Sequence, residues 1–125
     1  MNKILHPLAR LLVSAIFLSS GYGKITGFAG TSKYMASHNI PAPDLFLLGA
    51  IVFEVAGALM LLFGYRARLG AVLLVVFLIP VTLIFHVPGI PEASQMIATL
   101  KNLAILGALT KFIADGAGSF SIDNK

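Results

Sequence analysis

An all-α membrane protein, built as a four-transmembrane-helix bundle, follows from three observations. Of 125 residues 58% are hydrophobic and only 11% charged, with a mean hydropathy of +0.92; an average soluble domain is about 25% charged. Four apolar stretches, 5–22, 44–63, 69–87 and 95–114, each come near the roughly 20 residues that a helix needs to cross hydrocarbon. Helix punctuation stands at their ends. No spacer, charge block, internal repeat or low-complexity tract divides the chain, so residues 1–125 are read as one transmembrane domain.

The first span begins with Pro7 in a first turn. Lys3 ahead of an apolar run has the look of a secretory signal. Arg10 lies too far inside, however, and no clear Ala-x-Ala cleavage site follows, so the stretch is read as a span. Residues 24–43 form a longer connection. Within it, 31–38 carries Thr31 as an N-cap candidate, apolar Tyr34 and Met35, polar Ser32, Lys33, Ser37 and His38, and a stop at Asn39. This reads as a short interfacial helix between helices 1 and 2, with an irregular loop as the alternative. Asp44, after Pro41 and Pro43, is the expected N-cap of the second span, and Gly64 its C-terminal cap. Pro80 should kink the third span by removing one hydrogen bond and crowding the carbonyl of Val76. Pro88 and Pro91 close that span, and Gly116 caps the fourth.

Orientation follows from the basic residues. The N-terminus, the second loop and the C-terminus share one side, which carries Lys3, Arg66, Arg68, Lys111 and Lys125, with Arg10 slightly inside; the other side has Lys24 and Lys33. Both termini are therefore expected in the cytoplasm. The formal charge of +4 is better explained by this topology than by nucleic acid, because the nine Lys and Arg are scattered at helix ends. Nine Phe and three Tyr, with no Trp, read mostly as packing and interfacial anchors. The absence of cysteine removes disulfides, iron–sulfur ligation, thiolate zinc sites and thiol-based quinone chemistry.

Glu54 is a lone acid inside an apolar span, and such a group must be paired, protonated or in use. At the centre of a membrane helix it costs about 2.5–3.5 kcal/mol on insertion scales. It shares a face with Ala50, Gly57 and Ala58. Arg10, Ser14, Phe17, Gly21 and Lys24 form one stripe of the first helix. Lys101 shares its face with Ala98, Ala104 and Ala108, with Asn102 beside it, and His86 lies one turn past Thr82. Small residues let membrane helices approach closely, so these faces are expected to point inward. At 1.5 Å per residue Glu54 lies roughly 15 Å below the outer end of its helix and Lys101 roughly 8–10 Å below the start of the fourth, with His86 and Lys24 near the surface. Arg10 alone belongs to the inner half.

Lys101 is the leading partner for Glu54, and Lys24 the second if its side chain reaches inward. Two readings stay open. The pair fixes helix packing and nothing more, or Glu54, His86, Lys101, Asn102 and Lys24 line a cavity that binds a ligand or relays protons, with Arg10 and Ser14 as a structural polar stripe. His86 is either an interfacial cap or a head-group contact. Haem ligation is poor, because His6 and His38 fall on opposite sides of the membrane, and Glu54, His86 and one amide fall short of a metal ligand set.

Taken in order, Arg10, the segment 21–24, residues 34–41, Glu54 with Gly57, the segment 62–64 followed by Arg66 and Arg68, His86, Lys101 with Asn102, and the ending 115–123 resemble the DoxX family of small bacterial membrane proteins over nearly the whole chain. The resemblance implies a four-helix protein of the bacterial inner membrane. It also implies a redox association, since the family takes its name from a subunit of a terminal quinol oxidase and its relatives include thiosulfate:quinone oxidoreductase subunits. It carries over no catalytic residue. The expected function is a subunit or accessory protein of a quinone-linked redox complex, with a small amphipathic-ligand cavity around Glu54. No self-contained redox centre is visible, so electrons would come from a membrane oxidoreductase partner. The alternatives are a scaffold, for which a small-residue face such as Gly49, Phe53 and Gly57 would suit a partner or a second copy of the chain, and a proton-coupled carrier, disfavoured by the lack of a repeat.

Overall fold

The computed structural model describes residues 2–86 and 92–123, of Asn2 only the backbone. Val87, Pro88 and Pro91, expected at the end of the third span, and Lys125 lie outside the described residues. Five α-helices follow one another: α1 Asn2–Thr26, α2 Phe28–Ser37, α3 Pro43–Phe63, α4 Ala67–Val81 and α5 Ala93–Asp115. A π-helical turn, Thr82–His86, prolongs α4. Four of the helical segments, Lys3–Thr26, Pro43–Phe63, Ala67–His86 and Ala93–Asp115, are long and apolar enough to cross a membrane. Large apolar side chains such as Leu12, Leu45, Val76 and Leu103 are exposed along them, which a lipid environment satisfies and water does not.

Helix α1 packs on α3, α3 on α4 and α4 on α5. The four long helices therefore form an arc, and α1 and α5 face each other across a seam. At the α3–α4 contact, a Cβ on Gly57 would stand 2.9 Å from the carbonyl oxygen of Gly70, and one on Gly70 2.8 Å from Cβ of Met60. Two glycines thus bring two backbones together, as small residues do between membrane helices. Leu61, Ala67, Ala71, Leu74, Leu78 and Leu109 fill the core around this crossing, and Phe17 meets Phe77 edge-on at 6.4 Å between ring centroids. Because α4 covers Gly57, the face Gly49, Phe53 and Gly57 is not the open docking face expected of a scaffold. Gly49 and Phe53 remain exposed.

The starts of α2 and α3 differ from expectation. The short helix between α1 and α3 begins at Phe28, with Gly27 rather than Thr31 before it; the amide of Thr31 already bonds the carbonyl of Gly27. The chain turns only at Gly27, whose own amide reaches back to Gly23 at 2.9 Å, so α2 starts almost where α1 stops. Asn39, at φ 63°, ends it as expected. Asp44 is not the N-cap of α3: Ala42 occupies that position and Pro43 the first turn. The Asp44 carboxylate instead accepts from the hydroxyl of Ser32, tying α2 to the start of α3.

On the side that holds both termini, the segment after α5 folds back beneath the bundle. Pro7 lies inside α1, not in its first turn, and with no N–H it leaves the carbonyl of Lys3 free. The hydroxyl of Ser119 fills that vacancy at 2.6 Å. Arg10, 1% exposed, donates to the carbonyls of Leu62 at 3.0 Å, Ser119 at 2.9 Å and Phe120 at 2.7 Å. Leu62 lies in the last turn of α3, where carbonyls lack helical partners. Gly64, at φ 69°, makes the left-handed turn there, and the amides of Gly64 and Tyr65 bond back to Leu61 and Met60. Asp123 then receives the amides of Arg66 and Ala67 at 2.7 and 2.8 Å. A carboxylate on these free N–H groups caps α4 and complements its dipole.

Candidate functional site

The expected stripe of α1 is buried: Arg10, Ser14, Phe17 and Gly21 face the bundle, with Lys24 half-buried at its end. Ser14 is fully buried one turn above Arg10, and its hydroxyl has no partner among the described residues. Gly21 permits the close approach of α1 to α3, since a Cβ there would stand 2.7 Å from Val55 and 3.7 Å from Oε1 of Glu54. One turn further on, Lys24 reaches that same carboxylate.

The Nζ–Oε1 distance of the Lys24–Glu54 pair is 3.0 Å, with side chains 22% and 1% exposed. Lys24 also donates to Oγ of Ser20 at 2.6 Å and lies 5.2 Å from the ring centroid of Phe77. A carboxylate, a hydroxyl and an aromatic face together hold one ammonium. Lys101, expected as the leading partner, forms no ion pair or hydrogen bond among the described residues. The reason is the facing of α5. Thr99, Asn102, Leu109 and Phe112 are its buried residues, which leaves Lys101 and Ala104 exposed. The Ala98, Lys101, Ala104 and Ala108 face is thus displaced from the core, and Lys24 wins because snorkelling also works inward from a helix end.

Asn102, 6% exposed, donates from Nδ2 to Oγ1 of Thr82 at 3.0 Å, and Thr82 in turn donates to the carbonyl of Leu78 at 2.8 Å. This links α5 to the π-helical turn. His86 closes the turn, and its Nδ1–H donates to Oε1 of Gln95 at 2.8 Å, leaving Nε2 for another partner. Pro80 stands two residues before the π-helical stretch and cannot donate to Val76. Such wide turns often accompany sites, because they re-aim side chains relative to the helix behind them.

These groups surround a cavity of about 190 Å³ between all four long helices. Ser20, Lys24, Glu54, His86, Lys101 and Asn102 supply its polar lining, and Phe17, Phe77, Leu78, Val81 and Ile105 its apolar walls. Ile16 and Lys101, both exposed, sit on its α1 and α5 sides. Toward the terminal side the same two helices border a second hollow of about 500 Å³, walled by Ala9, Leu12, Val13, Ala108 and Phe112. Its first residues come one turn after those of the polar cavity, Leu12 after Ile16 and Ala108 after Ile105.

Ser20, Thr82 and Gln95 were not among the sequence candidates. Ser20 precedes Lys24 by four residues and Thr82 precedes His86 by four, so helical spacing was the available signal. Gln95 had none. Among the described residues no three His, Cys, Asp or Glu side chains come together in a set that could hold a metal ion.

Comparison with known proteins adds a family. The sequence model described as DoxX matches residues 6–87. The inner membrane protein YqjF of Escherichia coli K12 is 36% identical over 115 residues, covering 92% of this chain and 86% of the relative. The inner membrane protein YphA of the same organism is 34% identical over 128 residues, covering 99% and 91%. No solved structure gives a significant match.

Proposed function

The chain belongs to the DoxX family, and from that premise we propose that it is the membrane subunit or accessory protein of a quinone-linked redox complex, holding a quinone-like amphipathic molecule in the cavity beside Glu54. The observation that carries the reading is a small polar cavity with an apolar hollow one turn further along the same two helices. At about 190 Å³ the cavity is below the roughly 300–1,000 Å³ of pockets that enclose a drug-sized ligand. It suits one ring, with an apolar chain lying along Leu12, Val13, Ala108 and Phe112.

The residues fit such a head group. A quinone offers two carbonyl acceptors in an otherwise apolar ring, and it supplies the electron-accepting chemistry when bound. Lys101 and the Nζ of Lys24 are donors, and Phe17 and Phe77 offer flat apolar walls. Glu54 can hold or pass a proton at its carboxyl group, and His86 at Nε2, which its bond to Gln95 leaves free. Lys24 keeps the acid in place. With no cysteine and no metal-holding group among the described residues, electrons reach the site from a partner protein.

The location that accompanies this reading is the bacterial inner membrane, as named for the two relatives, with both termini in the cytoplasm in keeping with the basic residues Lys3, Arg66, Arg68 and Lys111 on the terminal side. Mass spectrometry of small molecules extracted from gently purified protein tests the reading. A quinone near one-to-one stoichiometry, lost in Ile105→Trp, which fills the cavity, is the expected result. A preparation that carries a protein partner but no quinone overturns it in favour of a scaffold.

A further inference from the structure

The charges around the cavity do not balance. Lys24 and Lys101 stand against Glu54 alone, and His86 uses one ring nitrogen on Gln95. The remaining acids of the chain, Asp44, Glu92, Asp115 and Asp123, are not part of the lining. Asp44 is engaged by Ser32, Asp115 by Lys111 and Asp123 by the amides that begin α4. Counting its lysines against Glu54, the cavity keeps one positive charge over.

That charge belongs to Lys101. Lys24 has a carboxylate, a hydroxyl and an aromatic ring around its ammonium, whereas Lys101 has no ion pair or hydrogen bond among the described residues. It stands eight residues into α5, about 12 Å along the helix from Ala93, deep enough for an unpaired cation to be costly and for a counter-ion to be favoured. A neutral carbonyl would accept a hydrogen bond from it and leave the charge uncompensated. An anion would remove the imbalance and gain a charge-assisted bond.

We infer that the site selects an amphiphile whose head group carries one negative charge, with Lys101 as the specificity-determining counter-ion. This rests on the ligand cavity of the proposed function and names the class of ligand within it. The head group enters beside Lys101 and Ile16, its acidic oxygen meets the Lys101 ammonium, and the existing Lys24–Glu54 pair stays intact. Glu54 then acts against wrong ligands as much as for the right one: its carboxylate repels an anion placed at the Lys24 end and directs it to the α5 wall.

Two ligands that differ only in charge test this, an alkylated hydroxynaphthoquinone, ionised at neutral pH, and its neutral methyl ether. Their binding is measured on the detergent-purified full-length protein by isothermal titration and by quenching of a bound fluorescent analogue. Wild type should bind the anion about tenfold more tightly than the ether, the worth of one charge-assisted hydrogen bond. Lys101→Gln should bind both alike, and Lys33→Gln, at an exposed position of α2, should keep the preference. Lys101 is exposed, so its replacement leaves the fold standing. Equal binding of the two ligands in wild type, or a preference that survives Lys101→Gln, overturns the inference and leaves the ligand cavity in place. Binding of neither ligand overturns both.

Discussion

The ammonium of Lys24 and the carboxylate of Glu54 meet at 3.0 Å across the α1–α3 contact, with the acid 1% exposed. Removing one partner strands the other inside the bundle without a counter-charge. Lys24→Met should cost about 3 kcal/mol, the low end for a broken buried pair because the lysine retains some exposure. The double variant Lys24→Met with Glu54→Leu should recover much of that loss. Lys101→Met should not lower stability, because it breaks no ion pair and removes an unpaired charge from an apolar span. Denaturant unfolding in micelles reads all of these, and additive effects of the two single changes would rule out the pairing.

Arg10 joins α1, the end of α3 and the terminal segment through three backbone carbonyls. A single ammonium cannot reproduce that fork, so Arg10→Lys should behave almost like Arg10→Met. Both should expose residues 116–123 to protease at rates several times that of the parent protein. Limited proteolysis followed by intact-mass measurement shows the cut. Full rescue by lysine would mean that charge alone matters there.

Glycines at similar spacing on α3 should respond with opposite signs. Gly57→Ala places its methyl against the Gly70 carbonyl and the Leu74 side chain, an overpacking that costs about 1–3 kcal/mol. At Gly49 a Cβ meets nothing within 4 Å, so Gly49→Ala should be neutral or stabilise by up to about 1 kcal/mol through helix propensity. Thermal unfolding of the two variants side by side reads the sign.

Topology is open to direct labelling, since the chain has no cysteine of its own. A cysteine at Lys33 on α2 should react with a membrane-impermeant maleimide in intact cells. One at Arg68, at the α3–α4 end, should react only after the cells are broken. The reverse pattern would invert the proposed orientation.

Span number, the inward stripe of α1 and the inward face of Glu54 were legible because each depends on local periodicity and on the cost of a charge in hydrocarbon. The stripe from Arg10 to Lys24 is a property of 3.6 residues per turn, and burial follows it closely. Legibility failed on α5. Alanines surround Lys101 on one side and Thr99, Asn102 and Leu109 lie on another, so the helix offers two plausible inner faces with little hydrophobic contrast between them. Packing against α4, through the Asn102–Thr82 bond, selects one. The work of Ser119, Phe120 and Asp123 was equally hidden, because their partners Lys3, Arg10 and Arg66 are more than fifty residues away.

Sequence alone therefore determined that Glu54 lies within an apolar span and must be compensated, because the desolvation of a carboxylate is a property of its immediate surroundings. Only the tertiary structure decided who compensates it. Lys24 and Lys101 both border the cavity, and the choice turns on the close approach of α1 to α3 that Gly21 permits and on the rotation of α5 about its axis. Neither is written in the local pattern of a single helix.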